Sequence, residues 1–153
     1  MPVNEWLYRG SQPREADLEA LKGKGVRTVV NFRPDAGMGR WEKETVEGLG
    51  MKYVNLPWRI GNRVQPELLD RFFAVLDDPK NRPVYFHCQH GRDRTGVMST
   101  LALMRYEGLS EEEAREQALE TIRPSLLQKK NVSDRIDYFI RERPEAFQKS
   151  SGA

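Results

Sequence analysis

The ten residues from His87 to Gly96 constrain the fold of this 153-residue chain most, because a strand, a tight turn and a helix follow one another there. The apolar run Val84-Tyr85-Phe86 predicts a buried strand, and the apolar spacing from Val97 to Tyr106 predicts a helix. The turn between them directs backbone N–H groups outward from a helix N-terminus. Such an arrangement is suited to binding an anion such as phosphate.

The residue types in this turn fit chemistry on phosphate. Cys88 is the one cysteine of the chain, and five residues separate it from Arg94. A helix N-terminus and nearby cations favour the nucleophilic thiolate form of a cysteine, and a planar guanidinium holds two oxygens of one phosphoryl group at once. Gly91 permits a tight turn, and the Thr95 hydroxyl is able to donate to the sulfur. The turn therefore predicts a phosphate pocket with a nucleophile.

The segment resembles the signature of the cysteine-dependent protein tyrosine phosphatase superfamily, which is histidine, cysteine, five residues, arginine, then serine or threonine. The resemblance implies hydrolysis of phosphomonoesters through a phosphocysteine intermediate, with neither cofactor nor metal. His87 is expected to brace the loop rather than to transfer protons. The expected catalytic residues are Cys88, Arg94, Asp93 and Thr95. The expected phosphate-binding loop consists of Gln89, His90, Gly91, Arg92, Asp93 and Arg94.

A second segment extends the resemblance toward the start of the chain. Residues 7–13, Leu-Tyr-Arg-Gly-Ser-Gln-Pro, and residues 25–33 look like the opening of small bacterial and atypical dual-specificity phosphatases. The two matches together cover most of residues 7–120. We interpret the opening motif as a first strand and a turn, with Pro13 at a helix start, rather than as catalytic residues.

The general acid is missing from its usual place. Phosphatases of this superfamily usually take it from an aspartate on a separate loop before the cysteine, but residues 57–67 contain none, and a rough alignment places Asn62 there. Three possibilities stay open. Asp93 is the preferred acid, because the loop is similar to that of the myotubularins, where the equivalent aspartate has this role. Glu67 or Asp35 is the second possibility, and the absence of any acid is the third.

The substrate class rests on charge and on one aromatic residue. Arg92 adds a cation to the loop where inositide-directed relatives often carry lysine, and Arg59 and Arg63 add positive charge nearby. Trp58 is either a wall for phosphotyrosine or a core residue. We predict a dual-specificity or tyrosine phosphatase, with an inositol phosphate or phosphoinositide phosphatase as the alternative. A non-catalytic phosphate-binding module is a further alternative, and the loop spacing argues against a rhodanese.

Composition fits one globular domain, with 38% hydrophobic and 31% charged residues. We expect a single phosphatase domain over residues 1–148 and a frayed tail over 149–153. A net charge of +2 without a basic stripe argues against nucleic acid as a partner, which leaves a phosphorylated substrate. No apolar run reaches the roughly 18 residues of a membrane span, and no signal peptide is recognised, so a cytoplasmic location is expected.

Alternating strands and helices predict an α/β fold. We expect a mainly parallel sheet of four or five strands, flanked by helices on both faces, with Cys88 at the C-terminal end of a strand. Strands are predicted over residues 6–9, 26–32 and 51–56 and from Val84. Helices are predicted over residues 13–22, 41–49, 66–76, 97–106 and 110–122, and from Asn131 or Ser133 to Arg143. Residues 33–39 are predicted to form a loop.

Overall fold

The computed structural model describes residues 1–34, 36–58, 64–120 and 126–148, with the backbone alone for residues 126–128. The chain divides into two units, one from Met1 to Gly91 and one from Arg92 onward. The predicted tail over residues 149–153 lies outside the described residues. Among the described residues, no helix has both the length and the apolar character needed to cross a membrane.

A four-stranded, entirely parallel sheet forms the centre of the first unit, with the strand order β1-β4-β2-β3. The strands are β1 (Leu7–Gly10), β2 (Thr28–Asn31), β3 (Lys52–Asn55) and β4 (Val84–His87). The two central strands, β4 and β2, are buried along their whole length, which agrees with their apolar, β-branched and aromatic sequences.

Helices cover both faces of this sheet. They are α1 (Glu15–Gly23), α2 (Ala36–Gly48) and α3 (Glu67–Asp77). Leu18 of α1 and Val46 of α2 form a core cluster that includes Tyr85 of β4. Phe72 of α3 instead packs edge-on against Phe86, with ring centroids 5.2 Å apart. Neighbouring residues of a strand point to opposite faces, so α1 and α2 lie on one face and α3 on the other. The predicted fold class is confirmed.

In its described residues, the second unit contains three helices and a short turn over Pro144–Phe147. The helices are α4 (Asp93–Glu107), α5 (Glu111–Leu119) and α6 (Leu126–Glu142). The predicted start of α5 is confirmed, since Ser110 and Glu113 form a capping box. Arg115 of α5 donates to Ser133 at 2.9 Å and to Asp137 at 2.8 Å on α6, which ties these two helices together.

Several predicted boundaries are wrong. Helix α2 begins at Ala36 rather than Trp41, so the loop predicted for residues 33–39 extends too far. Gly37 and Gly39 favour a loop in the sequence, but the helix tolerates each glycine at a cost of about 1 kcal/mol. Helix α6 begins at Leu126, so neither predicted cap starts it.

Three further helix ends also differ. Helix α4 begins one turn earlier than its apolar spacing indicated, because its first turn is polar. Helix α1 begins at Glu15 with Arg14 as its N-cap, so Pro13 lies outside the helix. Helix α5 ends at Leu119 rather than Ile122, and residues 121–125 lie outside the described residues.

Candidate active site

Cys88 directly follows β4, at the C-terminal end of a central strand of the parallel sheet. Its side chain is buried, with 3% exposure. The chain after it is tied to the segment that follows β1, because the backbone N–H of Gln12 donates to the carbonyl oxygen of Gln89 at 3.1 Å. Ligands of open α/β sheets bind beyond the C-terminal ends of the strands, which is the edge where Cys88 lies.

Gly91 has a backbone conformation that requires glycine. Its φ angle is +69°, and a Cβ atom there would lie 2.9 Å from the carbonyl carbon of Gly10 and 3.0 Å from the backbone nitrogen of Ser11. A side chain is therefore disfavoured both by the left-handed conformation and by the close backbone at the end of β1. The glycine predicted for the tight turn also serves to bring two backbone segments together.

His87 is fully buried and makes two hydrogen bonds. Its Nε2 atom lies 2.7 Å from Oε2 of Glu42, and its Nδ1 atom lies 3.1 Å from the carbonyl oxygen of Cys88. The side chain thus connects α2 to the start of the loop. This geometry is what a bracing residue requires, and it introduces Glu42, a residue that the sequence analysis missed.

Glu42 belongs to a chain of polar side chains. Gln12 donates through Nε2 to Oε1 of Glu42 at 2.6 Å, and Arg33 donates through Nη1 to Oε1 of Gln12 at 2.9 Å. A weak signal for Glu42 was present in the sequence, because it lies four residues before the apolar Val46 on the same helix face, and Val46 is buried.

The opening motif contacts the loop that follows Cys88. Residues 7–10 form β1, and Gln12 contacts both Gln89 and Glu42. Tyr85 donates its hydroxyl to the carbonyl oxygen of Ser11 at 2.7 Å. Burial raises the pKa of Tyr85 most, and electrostatic interaction with neighbouring acidic groups raises it further. Tyr85 therefore remains a donor through the neutral range.

The second half of the signature string lies in the second unit, at the start of α4. Arg92 is exposed, whereas Arg94 and Thr95 are buried. Asp93 is the first residue of α4, and its Oδ1 atom is buried without a hydrogen-bond partner in the described part of the chain. An oxygen left in that state is available to a ligand, since buried polar atoms are nearly always hydrogen-bonded.

The other predicted site residues differ in their exposure, and four of them lie outside the described residues. Trp58 is only 4% exposed, as a core residue is, and Glu67 is exposed at the start of α3. Gln89 and His90 are exposed in the loop. The predictions for Arg59, Arg63, Asn62 and Asp35 lie outside the described residues.

An aromatic residue that the sequence analysis did not single out lies near this edge of the first unit. A largely apolar cavity of about 500 Å³ opens between the starts of α1 and α2, and Trp41, which is 36% exposed, lines it. The remaining lining residues are Gln12, Pro13, Arg14, Glu15, Gly37 and Met38. Within the described residues, no group of three His, Cys, Asp or Glu side chains is arranged to hold a metal ion.

Comparison with known proteins relates the chain to phosphatases. The family model described as DSP-PTPase phosphatase fused to NAD+ kinase matches residues 3–135. The rice protein named Probable NAD kinase 2, chloroplastic, is 34% identical over 96 residues, which are 60% of this chain and 10% of that protein.

Two further relatives are phosphatases by name. The dual specificity protein phosphatase TpbA of Pseudomonas aeruginosa is 25% identical over 111 residues, which are 72% of this chain and 49% of that protein. Its crystal structure, at 22% identity, aligns with a TM-score of 0.70 over 86% of this chain and 79% of that chain. Inositol diphosphatase DSP3 of Arabidopsis thaliana is 26% identical over 104 residues, which are 63% of this chain and 49% of that protein. The chain thus spans from about a tenth to about half the length of these relatives.

Proposed function

The chain belongs to the family of DSP-PTPase phosphatase domains that is named for fusion to NAD+ kinase, and from this membership we propose that it is a cysteine-dependent phosphatase of the dual-specificity or tyrosine type. The observation that carries the proposal is the position of Cys88. It follows a buried central strand directly and begins a loop that leads into the N-terminus of α4. The helix N-terminus at such a junction supplies backbone N–H donors to an anion and favours the thiolate form of a nearby cysteine.

The proposed reaction has two steps. The Cys88 thiolate attacks phosphorus in line, and the bond from phosphorus to the leaving oxygen breaks while Asp93 gives that oxygen a proton. Arg94 and the amides of residues 89–94 hold the non-bridging oxygens. Water then attacks the phosphorus of the thiophosphate and gives a proton back to the Asp93 carboxylate. The bond from phosphorus to sulfur breaks, which releases inorganic phosphate and restores the thiolate, with Thr95 donating to the departing sulfur.

Hydrolysis of p-nitrophenyl phosphate tests this proposal. The wild-type protein is expected to release p-nitrophenol, and Cys88→Ser is expected to abolish the release while leaving the melting temperature near that of the wild type, because the two side chains have nearly the same shape. Wild-type protein that binds vanadate without any turnover would contradict the proposal and identify a phosphate-binding module. Turnover of thiosulfate alone would indicate persulfide chemistry instead.

The preferred substrate is an aryl phosphate such as phosphotyrosine. The apolar cavity at Trp41 supports this preference, because it opens beside Gln12, which is hydrogen-bonded to the loop at Gln89. An aromatic leaving group gains from stacking on an aromatic wall. Trp41→Ala is expected to raise KM for phosphotyrosine peptides several-fold and to leave KM for soluble inositol phosphates unchanged.

An inositol phosphate is the second candidate substrate. Arg92 favours it, because this exposed cation at the loop adds positive charge that a polyphosphorylated ligand requires, and the relative DSP3 is named an inositol diphosphatase. A phosphate-release screen across phosphotyrosine peptides, phosphoinositides and soluble inositol phosphates separates the two candidates. If inositol phosphates are the substrates, Arg92→Ala lowers kcat/KM for them far more than for the peptides.

A further inference from the structure

The buried carboxyl group of Glu42 is a feature that the proposed mechanism does not use. Its side chain has no exposed surface, and each oxygen has its own partner. Oε1 accepts from Gln12 at 2.6 Å, and Oε2 lies 2.7 Å from Nε2 of His87. Removing a carboxylate from water is costly, and an apolar residue would fill the same space without that cost.

The direction of the hydrogen bond to Oε1 is fixed by Arg33. A guanidinium only donates, so Oε1 of Gln12, which lies 2.9 Å from Nη1 of Arg33, is an acceptor. The amide nitrogen of Gln12 therefore faces Glu42 and donates to it. One oxygen of Glu42 thus accepts a hydrogen bond independently of His87.

The two hydrogen bonds of His87 require one proton on Nδ1 and a second proton between Nε2 and Glu42. Nδ1 lies 3.1 Å from the carbonyl oxygen of Cys88, which only accepts, so Nδ1 carries a proton. A neutral ring would then turn the lone pair of Nε2 toward Oε2 of Glu42, so the pair needs one more proton between these atoms. A doubly protonated ring satisfies both contacts, because Nδ1–H then donates to the carbonyl oxygen and Nε2–H donates to the carboxylate.

We infer that Glu42 is a positioning residue that holds His87 as an imidazolium directed at the carbonyl of Cys88, and that this arrangement favours the thiolate of Cys88. The inference rests on the proposed function, in which Cys88 is the nucleophile. The ring contacts the backbone of Cys88 through Nδ1, whereas the carboxylate of Glu42 lies on the other side of the ring, at Nε2. A positive charge next to a thiol favours its ionised form.

The same contact orients the loop. Because Nδ1–H donates to the Cys88 carbonyl, it fixes the peptide plane between Cys88 and Gln89. The N–H of Gln89 is the first of the loop amides that the proposed mechanism uses. Glu42 therefore acts on both the charge and the geometry of the loop through one imidazole ring.

Other titratable groups face this pair within the first unit, and they bear on the test. The ring of Tyr85 lies 5.8 Å from that of His87, Tyr53 interacts electrostatically with Glu42, and Arg33 reaches it through Gln12. Burial raises the pKa of Tyr85 and of Tyr53, so neither phenol ionises in the neutral range. A change in behaviour near neutral pH is therefore not attributable to either phenol.

Glu42→Gln tests the inference, because it keeps the shape and lets the new amide donate to Nε2 of a neutral His87. The midpoint of the pH profile of Cys88 labelling by iodoacetate is expected to rise by about 1 unit, so that labelling is roughly tenfold slower at pH values well below both midpoints. The kcat/KM for p-nitrophenyl phosphate is expected to fall by a similar factor there and to recover as the pH rises. Labelling needs no substrate, so inactive wild-type protein would contradict the proposed function and still permit this test.

Glu47→Gln is the matched control, because Glu47 is exposed on the same helix and loses the same charge. It is expected to leave the labelling curve unchanged. A Glu42→Gln curve that superimposes on that of the wild type would overturn the inference. If Glu42→Gln does not fold, 15N NMR of the wild-type protein decides the question, since the chain has two histidines and His90→Asn assigns the signals. Two protonated ring nitrogens in His87 at about pH 7 are expected, and a single neutral tautomer would overturn the inference.

Discussion

Asp93 combines two properties that rarely occur together in one carboxyl group. It is the first residue of α4, where a negative charge is favoured by the helix dipole. Its Oδ1 atom is nevertheless buried without a hydrogen-bond partner among the described residues. An acid that protonates a leaving group needs an oxygen that no structural contact occupies, and Asp93 has one.

Asp93→Asn tests this role through the leaving group. Loss of a general acid costs about 10²–10⁴-fold, so kcat is expected to fall by that factor on phenyl phosphate, whose phenolate leaves poorly. The loss on p-nitrophenyl phosphate is expected to be much smaller, because that leaving group needs little protonation. Steady-state kinetics on both esters measure the difference.

Glu67→Gln is the companion variant, because Glu67 is the other described candidate acid. It is expected to lower kcat on neither ester. Equal losses on both esters in Asp93→Asn would remove Asp93 from the acid role. A loss confined to phenyl phosphate in Glu67→Gln would assign that role to Glu67.

Gly91→Ala is expected to destabilise the protein by about 1–3 kcal/mol, because the residue adopts a left-handed conformation and its new Cβ would meet the backbone of Gly10 at 2.9 Å. The loop amides would also shift, so kcat/KM is expected to fall. Urea denaturation gives the stability change. Gly23→Ala is the control, since it has open space within 4 Å at the end of α1, and its stability should stay within about 1 kcal/mol of the wild type.

At the scale of elements, Tyr85 connects β4 to the segment after β1, through its hydroxyl on Ser11. Its pKa is raised in the folded state, so its contribution to stability is fully present below the unfolded pKa of about 10 and is lost as the pH rises through the folded pKa. Tyr85→Phe lacks the hydrogen bond and is expected to be about 1 kcal/mol less stable at neutral pH.

The difference in stability between wild type and Tyr85→Phe is therefore expected to shrink above about pH 10. Thermal melts of both proteins across the neutral and alkaline range measure it. If the difference stays constant to the most alkaline pH at which both proteins fold, ionisation of Tyr85 does not reduce the stability of the wild type, and the prediction is wrong.

The sequence predicted the strands well, because their signal is local. The two central strands are buried along their whole length, and each has neighbouring apolar residues in its sequence, Val29-Val30 in β2 and Val84-Tyr85-Phe86 in β4. The position of Cys88 after β4 followed from the same pattern. The capping box at Ser110 was equally local, since both of its hydrogen bonds lie within four residues.

Two features that the sequence analysis misread or missed depend on contacts between distant segments. Ser133 looked like a helix cap, but its hydroxyl accepts from Arg115 on the neighbouring helix. The sequence analysis did not single out Glu42, because only the packing of α2 on the sheet brings it to His87. Side-chain partners separated by 45 residues leave no local trace beyond an interrupted apolar stripe.

At the scale of the whole molecule, the question is whether the two units behave as one domain. All three tryptophans, at positions 6, 41 and 58, lie in the first unit, so tryptophan fluorescence reports on that unit. Hydrogen exchange at the amides of α5 and α6 reports on the second.

We expect residues 1–148 to unfold as a single cooperative domain, so the two probes should give the same midpoint and the same slope in urea, which is the usual behaviour of domains below about 150 residues. The junction at residues 91 and 92 lies inside the signature string. The proposed phosphate loop keeps its geometry only while the chain on both sides of this junction is folded. Distinct midpoints would show two domains and contradict the prediction.

The chain of hydrogen bonds from Arg33 through Gln12 and Glu42 to His87 limits what can be transplanted. Its members come from four segments of the sequence, and each depends on the donor direction set by the previous one. A designer who grafts residues 87–96 onto another protein would transfer the signature residues without Arg33, Gln12 and Glu42, the other members of this chain of hydrogen bonds. Natural relatives that change one member of this chain of hydrogen bonds should show matching changes at the other members.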